Sequence, residues 1–187
     1  MKGTSLATIL LAATSIAAVA CQQAEQRAAA PSPVERGKYL VTAMGCNDCH
    51  TPWKLGEKGP EPDMTRMLSG HPEGMKLPPP PAVQPPWGPL ATLTMTAWSG
   101  PWGITFTANL TPDQETGIGA LSEENFVQAI RTGKHLGAGR DILPPMPWAW
   151  YGKMTDEDLK AVFAYLKSIP PIKNKVLDPV PPAPAGK

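Results

Sequence analysis

Apolar residues recur with the period of an α-helix in three separate parts of the chain. In the part nearest the amino terminus they occupy positions i, i+3, i+4 and i+7, and they are Gly37, Leu40, Val41 and Met44. Ser32 can cap this part, Pro33 suits a first helical position, and Glu35 completes a capping box. The pattern predicts a first helix that begins after Ser32 and packs one side against the core.

Gly37 lies on the predicted buried side of this helix. Glycine costs about 1 kcal/mol of helix propensity relative to alanine, so its presence there needs a reason. A residue without a β-carbon allows close approach, which predicts that another backbone or a ring packs against this position.

Two further segments have the same period. Residues 121–133 have Ser122 as a cap and end at Gly133, whereas residues 154–171 have Thr155 as a cap and end at two prolines. Both segments are acidic in the first turn, as helices prefer. Their apolar stripes are Phe126, Ala129 and Ile130 in the first, and Leu159, Val162, Phe163 and Leu166 in the second.

The stretch between the first and second predicted helices shows little periodicity. Residues 52–101 hold 12 of the 24 prolines, including the run LPPPPAVQPPWGP. Trp87 and Trp98 lie inside this stretch and Trp102 at its edge, whereas disordered segments are usually poor in such side chains. We expect residues 52–105 to be an ordered insert that wraps the domain or covers it as a flap; a floppy insert is the alternative.

The two ends of the chain have compositions of their own. Residues 1–20 carry one charge, Lys2, and then an apolar run that ends in small residues before Cys21, as in a secretory signal. The run is shorter and less apolar than the roughly 20 residues of a membrane span. AVAC resembles a bacterial lipoprotein signal in which Cys21 becomes lipidated. We expect residues 21–32 to be a tether, and the proline-rich residues 171–187 to be an extended or disordered tail.

Length and charge narrow the class of protein. The 187 residues suit one ordinary domain with tails. Without residues 1–20 the 17 basic residues fall to 16, equal to the 16 acidic residues. A formal net charge of zero gives no support for a nucleic-acid partner.

The strongest chemical signal is GCNDCHTP, residues 45–52, in which Cys46 and Cys49 are followed at once by His50. The third cysteine is Cys21, so none remains for a structural disulfide. Three kinds of site use such a motif: a redox-active dithiol, half of a zinc site, and a point of covalent haem attachment.

The histidine distinguishes these three kinds of site. A redox dithiol does not need His50, and a zinc site needs four N or S ligands, while only the isolated His71 and His135 remain. Haem attachment uses the whole motif, because the two thiols add to the two vinyl groups and the adjacent imidazole ligates the iron. Together with the export signal, the motif predicts one covalent haem c.

A haem also completes the predicted core. Three helices of about 11 residues leave much apolar surface uncovered, and a buried porphyrin supplies the missing apolar volume. We therefore expect the haem to be structural as well as functional.

The second axial ligand must come from elsewhere in the chain. DILPPMPWAWYGKM offers Met146 in a proline-stiffened loop ahead of the last predicted helix. A thioether is a neutral, soft ligand that favours reduced iron and raises the reduction potential. His71 and His135 are the alternatives, and either would give a bis-histidine iron of lower potential.

CNDCH and these helices resemble the single-haem class I cytochromes c over residues 33–170. The resemblance implies an all-α cytochrome c fold in which three core helices surround one haem and the last helix crosses the first at Gly37. It also points to Met146 as the second ligand.

A second resemblance, in residues 107–119, indicates a group of related proteins. TANLTPDQETGIG, residues 107–119, resembles a segment near the haem in the cytochrome c subunits of membrane-bound alcohol and gluconate dehydrogenases. Those subunits often contain three haems, whereas this sequence has one CxxCH motif, so we expect a single haem.

The sequence thus predicts a periplasmic or lipid-anchored electron carrier, not an enzyme, between redox partners such as a dehydrogenase donor and a respiratory-chain acceptor. One alternative is a haem enzyme, a peroxidase or a sulfur-compound oxidase, which needs an open iron position and an acid–base group such as His71 or His135. The other is a gas-binding haem protein in which Met146 is displaced from the iron.

Overall fold

The structure is a computed structural model that describes residues 30–182. The chain divides into two units, Met1–Pro31 and Ser32–Lys187, and all but two of the described residues belong to the second. The predicted signal peptide, the predicted lipidation site Cys21 and most of the predicted tether lie outside the described residues.

Helices form where the sequence shows helical period and also at two shorter places. Those within the described residues are α1 (Pro33–Ala43), α2 (Cys46–His50), α3 (Glu123–Thr132), α4 (Trp148–Tyr151) and α5 (Asp156–Ser168), with 3₁₀ turns at Met64–Arg66 and His135–Gly137. The three predicted helices are α1, α3 and α5. None of the helices in residues 30–182 combines the length and the hydrophobicity that a membrane crossing requires.

The predicted helix caps are confirmed. Ser32 accepts a hydrogen bond from the Glu35 amide while the Glu35 side chain accepts one from the Ser32 amide, which closes the capping box of α1. The side chains of Ser122 and Thr155 likewise accept hydrogen bonds from backbone amides at the starts of α3 and α5.

α1 crosses α5 at Gly37. A β-carbon added there would overlap the carbonyl oxygen of Ala161, so glycine lets the two backbones approach closely, and the reason predicted for Gly37 is confirmed. Beside the crossing, the Arg36 guanidinium donates to both carboxylate oxygens of Asp158, at 2.8 and 3.3 Å. The apolar sides of the helices meet in one core cluster: Leu40, Val41, Leu68, Ile118, Phe126, Ala161, Val162, Phe163, Leu166 and Ile169.

The expectation of an all-α fold is wrong, because the insert forms two antiparallel sheets. One is a hairpin of β1 (Trp53–Gly56) and β2 (Gly59–Pro62). The other joins β3 (Leu90–Ala91), β4 (Ala97–Gly100) and β5 (Gly103–Phe106) in that order. Each strand has two to four residues, too few for a period-2 pattern to stand out from the surrounding prolines and glycines. Short antiparallel pairs nevertheless satisfy the backbone polar groups of a packed insert.

The proline run of the insert is less buried than its tryptophans suggested. Residues 78–89 are exposed and form neither helix nor strand. Trp87, in this run, is 81% exposed, whereas Trp98 and Trp102 in the three-stranded sheet region are half-buried. The packed parts of the insert are therefore the two sheets and the segment around Leu68, which belongs to the core cluster.

The described part of the tail, residues 171–182, packs in extended conformation. Val180 and Ile104 exchange two backbone hydrogen bonds, of 2.8 and 2.9 Å, which attaches the tail to β5. The buried amide of Asn174 donates to the carbonyl oxygens of Ser69 and His71, at 2.7 and 2.8 Å.

Candidate functional site

α2 carries the CNDCH motif and borders a cavity of about 230 Å³. Gly45 precedes α2 with φ of 66°, a left-handed conformation that favours glycine and turns the chain from α1 into α2. Cys46, Cys49 and His50 all line this cavity.

The helices supply an apolar wall to the same cavity. α3 contributes Phe126 and Ile130, and α5 contributes Leu159, Val162 and Leu166. These residues belong to the apolar stripes of α3 and α5, and the cavity that they line is a place where a buried apolar group would complete the core.

The chain holds the imidazole of His50 in one tautomer. Its Nδ1 lies 2.8 Å from the carbonyl oxygen of Ala108. Because a carbonyl oxygen only accepts, Nδ1 donates, and Nε2 keeps the lone pair that a metal ion needs. Burial lowers the pKa of His50, which favours the neutral, ligating form. The Gly70 amide donates to the His50 carbonyl oxygen at 2.7 Å and holds the backbone at this point.

The two thiols of the motif are half-buried and form no disulfide. Burial raises the pKa of Cys46 to about 11, and burial followed by the charge of Asp48 raises the pKa of Cys49. The thiol of a redox-active dithiol has a lowered pKa, so these surroundings do not suit that chemistry. Within residues 30–182, no group of three or more His, Cys, Asp or Glu side chains is placed to hold a metal ion.

Met146 lines the same cavity from the loop that precedes α4, and so do the prolines on either side of it. The hydroxyl of Thr105 in β5 donates to the Pro144 carbonyl oxygen at 2.8 Å, which ties this loop to the insert. The structure thus brings all four predicted haem residues to one cavity: Cys46, Cys49, His50 and Met146.

The two alternative histidine ligands lie in different places. His135 borders the cavity, and burial, with the nearby charge of Arg140, lowers its pKa. His71 is fully buried away from the cavity wall, with its ring 4.9 Å from that of Phe106 and its Nδ1 3.0 Å from the Thr96 hydroxyl. His135 is therefore the histidine that competes with Met146.

The polar atoms of the cavity wall also suit a haem, which carries two carboxylates on an otherwise apolar ring. Arg140 and Thr107 both border the cavity. The Thr107 hydroxyl is buried without a hydrogen-bond partner among the described residues, and such an atom is costly unless a ligand pairs with it. Apolar walls, two thiols, an imidazole, a thioether and an unpaired hydroxyl together fit a haem.

Sequence reasoning did not find the residues that support the ligands. Ala108 acts through its backbone carbonyl, which side-chain patterns do not show, although it falls in residues 107–119, the segment that resembles a haem-proximal one. Thr105 at the end of the insert and Pro179 in the tail also border the cavity. No local signal in the sequence marks either of them.

Three curated proteins match the chain over most of its length. The fructose dehydrogenase cytochrome subunit of Gluconobacter japonicus is 29% identical over 167 residues, which are 89% of this chain and 27% of that protein. The gluconate 2-dehydrogenase cytochrome c subunit of Pantoea cypripedii is 31% identical over 161 residues, 86% of this chain and 27% of that protein. The alcohol dehydrogenase (quinone) cytochrome c subunit of Gluconobacter oxydans strain 621H is 27% identical over 174 residues, which are 90% of this chain and 29% of that protein.

This chain is a homologue of dehydrogenase cytochrome c subunits. The lineage predicted from the sequence is thereby confirmed, although no family model matches the chain. The chain spans less than a third of the length of these cytochrome c subunits. Homology to them supports an electron-transfer haem protein whose cofactor is haem c.

Proposed function

We propose that this chain is a single-haem cytochrome c that carries one electron at a time. The observation that carries the proposal is the position of four side chains on one apolar cavity. Cys46 and Cys49 are the proposed points of thioether attachment, and His50 and Met146 are the proposed axial ligands of the iron.

Each of these residues has a separate task. When bound, the haem supplies the iron that alternates between the ferrous and ferric states. His50 presents Nε2, and its bond to the Ala108 carbonyl fixes the ring and strengthens the imidazole as a ligand. Met146 offers a soft, neutral sulfur that favours the ferrous state. The apolar residues of α3 and α5 exclude water, which also favours the state of lower charge.

A carrier fits this cavity better than an enzyme does, because Met146 lines the cavity and could supply a second axial ligand, whereas an enzyme would need that ligand position to be open. One observation favours a second candidate. His135 borders the cavity, so a haem enzyme in which Met146 stays off the iron would have an acid–base residue at hand.

The names of the relatives suggest the class of electron donor, a dehydrogenase, and say nothing of the acceptor. We infer that a dehydrogenase donates the electron and that a component of the respiratory chain accepts it. We also propose that the protein is exported to the periplasm and held at the membrane by a lipid on Cys21. Recovery of the mature protein in the membrane fraction, with release on Cys21→Ser, checks the anchor; a protein that fractionates as soluble contradicts it.

The ferric absorption spectrum of the purified protein tests the ligation. Low-spin iron bound by histidine and methionine has a weak long-wavelength charge-transfer band from sulfur to iron, and we expect to see it. Acidified organic solvent should fail to extract the haem if thioethers hold it. Extraction of the haem would refute covalent attachment, and absence of the band would favour His135 or an open position.

A further inference from the structure

The loop that carries Met146 has few hydrogen bonds of its own. Pro144 and Pro145 have no N–H group. The amides of Leu143 and Met146 donate no hydrogen bond within residues 30–182, and the two prolines are exposed to water. The last backbone contact before this stretch is the Ile142 amide, which donates to the Gly133 carbonyl at 2.7 Å.

The insert supplies a fixed point for this loop. Thr105 is 8% exposed, and its hydroxyl donates to the Pro144 carbonyl oxygen at 2.8 Å. The other acceptor near that hydroxyl, the Trp98 carbonyl, lies at 3.4 Å, so the single hydroxyl proton belongs to the Pro144 bond. The indole N–H of Trp102 donates to the Thr105 hydroxyl oxygen at 3.4 Å.

Thr105 is itself held from two sides. Its strand partner is Trp98 in β4. Its neighbour Ile104 exchanges two backbone hydrogen bonds with Val180 of the tail, at 2.8 and 2.9 Å. The loop is thus tied to a strand that both the insert and the tail keep in place.

We propose that Thr105 is a positioning residue for the distal ligand. By holding the Pro144 carbonyl, it keeps the sulfur of Met146, two residues further on, directed into the cavity. The insert and the tail then have a common role, which is to slow the detachment of the distal ligand. This inference rests on the proposed function, because it has consequences only if Met146 binds the iron.

Thr105→Val tests the inference, because valine keeps the volume and removes the hydroxyl. The measurement is the rate at which cyanide replaces the distal ligand in the haem-loaded ferric full chain. Loss of one hydrogen bond of ordinary strength should speed this replacement about fivefold. Thr105→Ser keeps the hydroxyl and should restore a rate near that of the wild type. Thr94→Val is the matched control, because within residues 30–182 that hydroxyl bonds only Thr92 and Thr96, which both belong to the insert.

The outcomes separate this inference from the proposed function. The positioning role would be overturned if cyanide replaced the distal ligand of Thr105→Val at the wild-type rate. It would also be overturned if Thr94→Val accelerated this replacement as much as Thr105→Val does. If Thr105→Val does not incorporate haem, Thr105→Ala removes the same hydroxyl with less bulk and is read in the same way. Met146→Ala reports on the ligation: if it keeps the charge-transfer band, the proposed function fails. If Met146→Ala loses the band while Thr105→Val leaves the cyanide rate unchanged, only the positioning role is wrong.

Discussion

His50 shows what a sequence can and cannot predict for a single residue. Its role as a ligand follows from its place beside Cys49, whereas the carbonyl that orients it belongs to Ala108, 58 residues away. A backbone oxygen has no residue type to recognise, so only the fold reveals that contact. Arg36 and Asp158 are similar, because each is an ordinary surface charge in the sequence and the two become a pair only where α1 crosses α5.

This ion pair gives a pH dependence. The hydrogen bonds from Arg36 lower the pKa of Asp158, so the pair stabilises the fold above the unfolded carboxyl pKa of about 3.9. That stability is lost as the pH falls through the lowered folded-state pKa. We predict that Asp158→Asn slightly lowers the melting temperature at neutral pH, and that the difference shrinks to nothing in strong acid. Melting curves over a pH series, with Arg36→Gln as the matched variant, check this; a difference that persists in acid would count against the pair.

The length of an element decides whether its period is visible in the sequence. α1, α3 and α5 have ten or more residues and clear caps, and all three were predictable. The strands of the insert have two to four residues, and which strands pair depends on how the whole chain packs. The prediction of an all-α protein therefore missed them. The four-residue α4 was missed for the same reason.

The crossing of α1 and α5 makes a prediction about Gly37. In an exposed helix, replacing glycine by alanine adds about 1 kcal/mol of stability. Here the new β-carbon overlaps the Ala161 carbonyl, so we expect Gly37→Ala to destabilise the protein by about 1–3 kcal/mol. Gly88→Ala is the control, because a β-carbon at Gly88 meets open space. Denaturant unfolding of the haem-loaded proteins gives the sign of the change in the free energy of unfolding. A Gly37→Ala protein as stable as the wild type would refute the close crossing.

In the whole molecule, the cavity is the feature that the parts share. α2, α3, α5, the insert and the tail all contribute to its wall. The sequence predicted a missing apolar volume beside three short helices, and two of those helices, α3 and α5, line the cavity. It did not predict that Pro179 and Thr105 close that volume, because their partners are remote in the chain and depend on how the insert packs.

The double variant Cys46→Ala with Cys49→Ala tests whether the haem completes the core. Without thioethers the haem should be lost during purification, and the remaining small core should not support a cooperative fold. We expect a broad, low-amplitude thermal transition by circular dichroism. Asp48→Asn is the control, because it changes an exposed residue of the same motif and keeps both thiols. A sharp, cooperative transition in the haem-free double variant would contradict a structural role for the haem.

The most direct test of the proposed ligation is the ferric absorption spectrum of Met146→Ala. The variant removes the thioether and leaves His50 and both thiols in place, so the haem should stay attached. We predict that the long-wavelength charge-transfer band disappears and that the reduction potential falls. Met64→Ala and Met95→Ala, at residues that do not line the cavity, should keep the native band. A Met146→Ala protein that kept the band as well would contradict Met146 as the axial ligand. His135 would then be the candidate for that position.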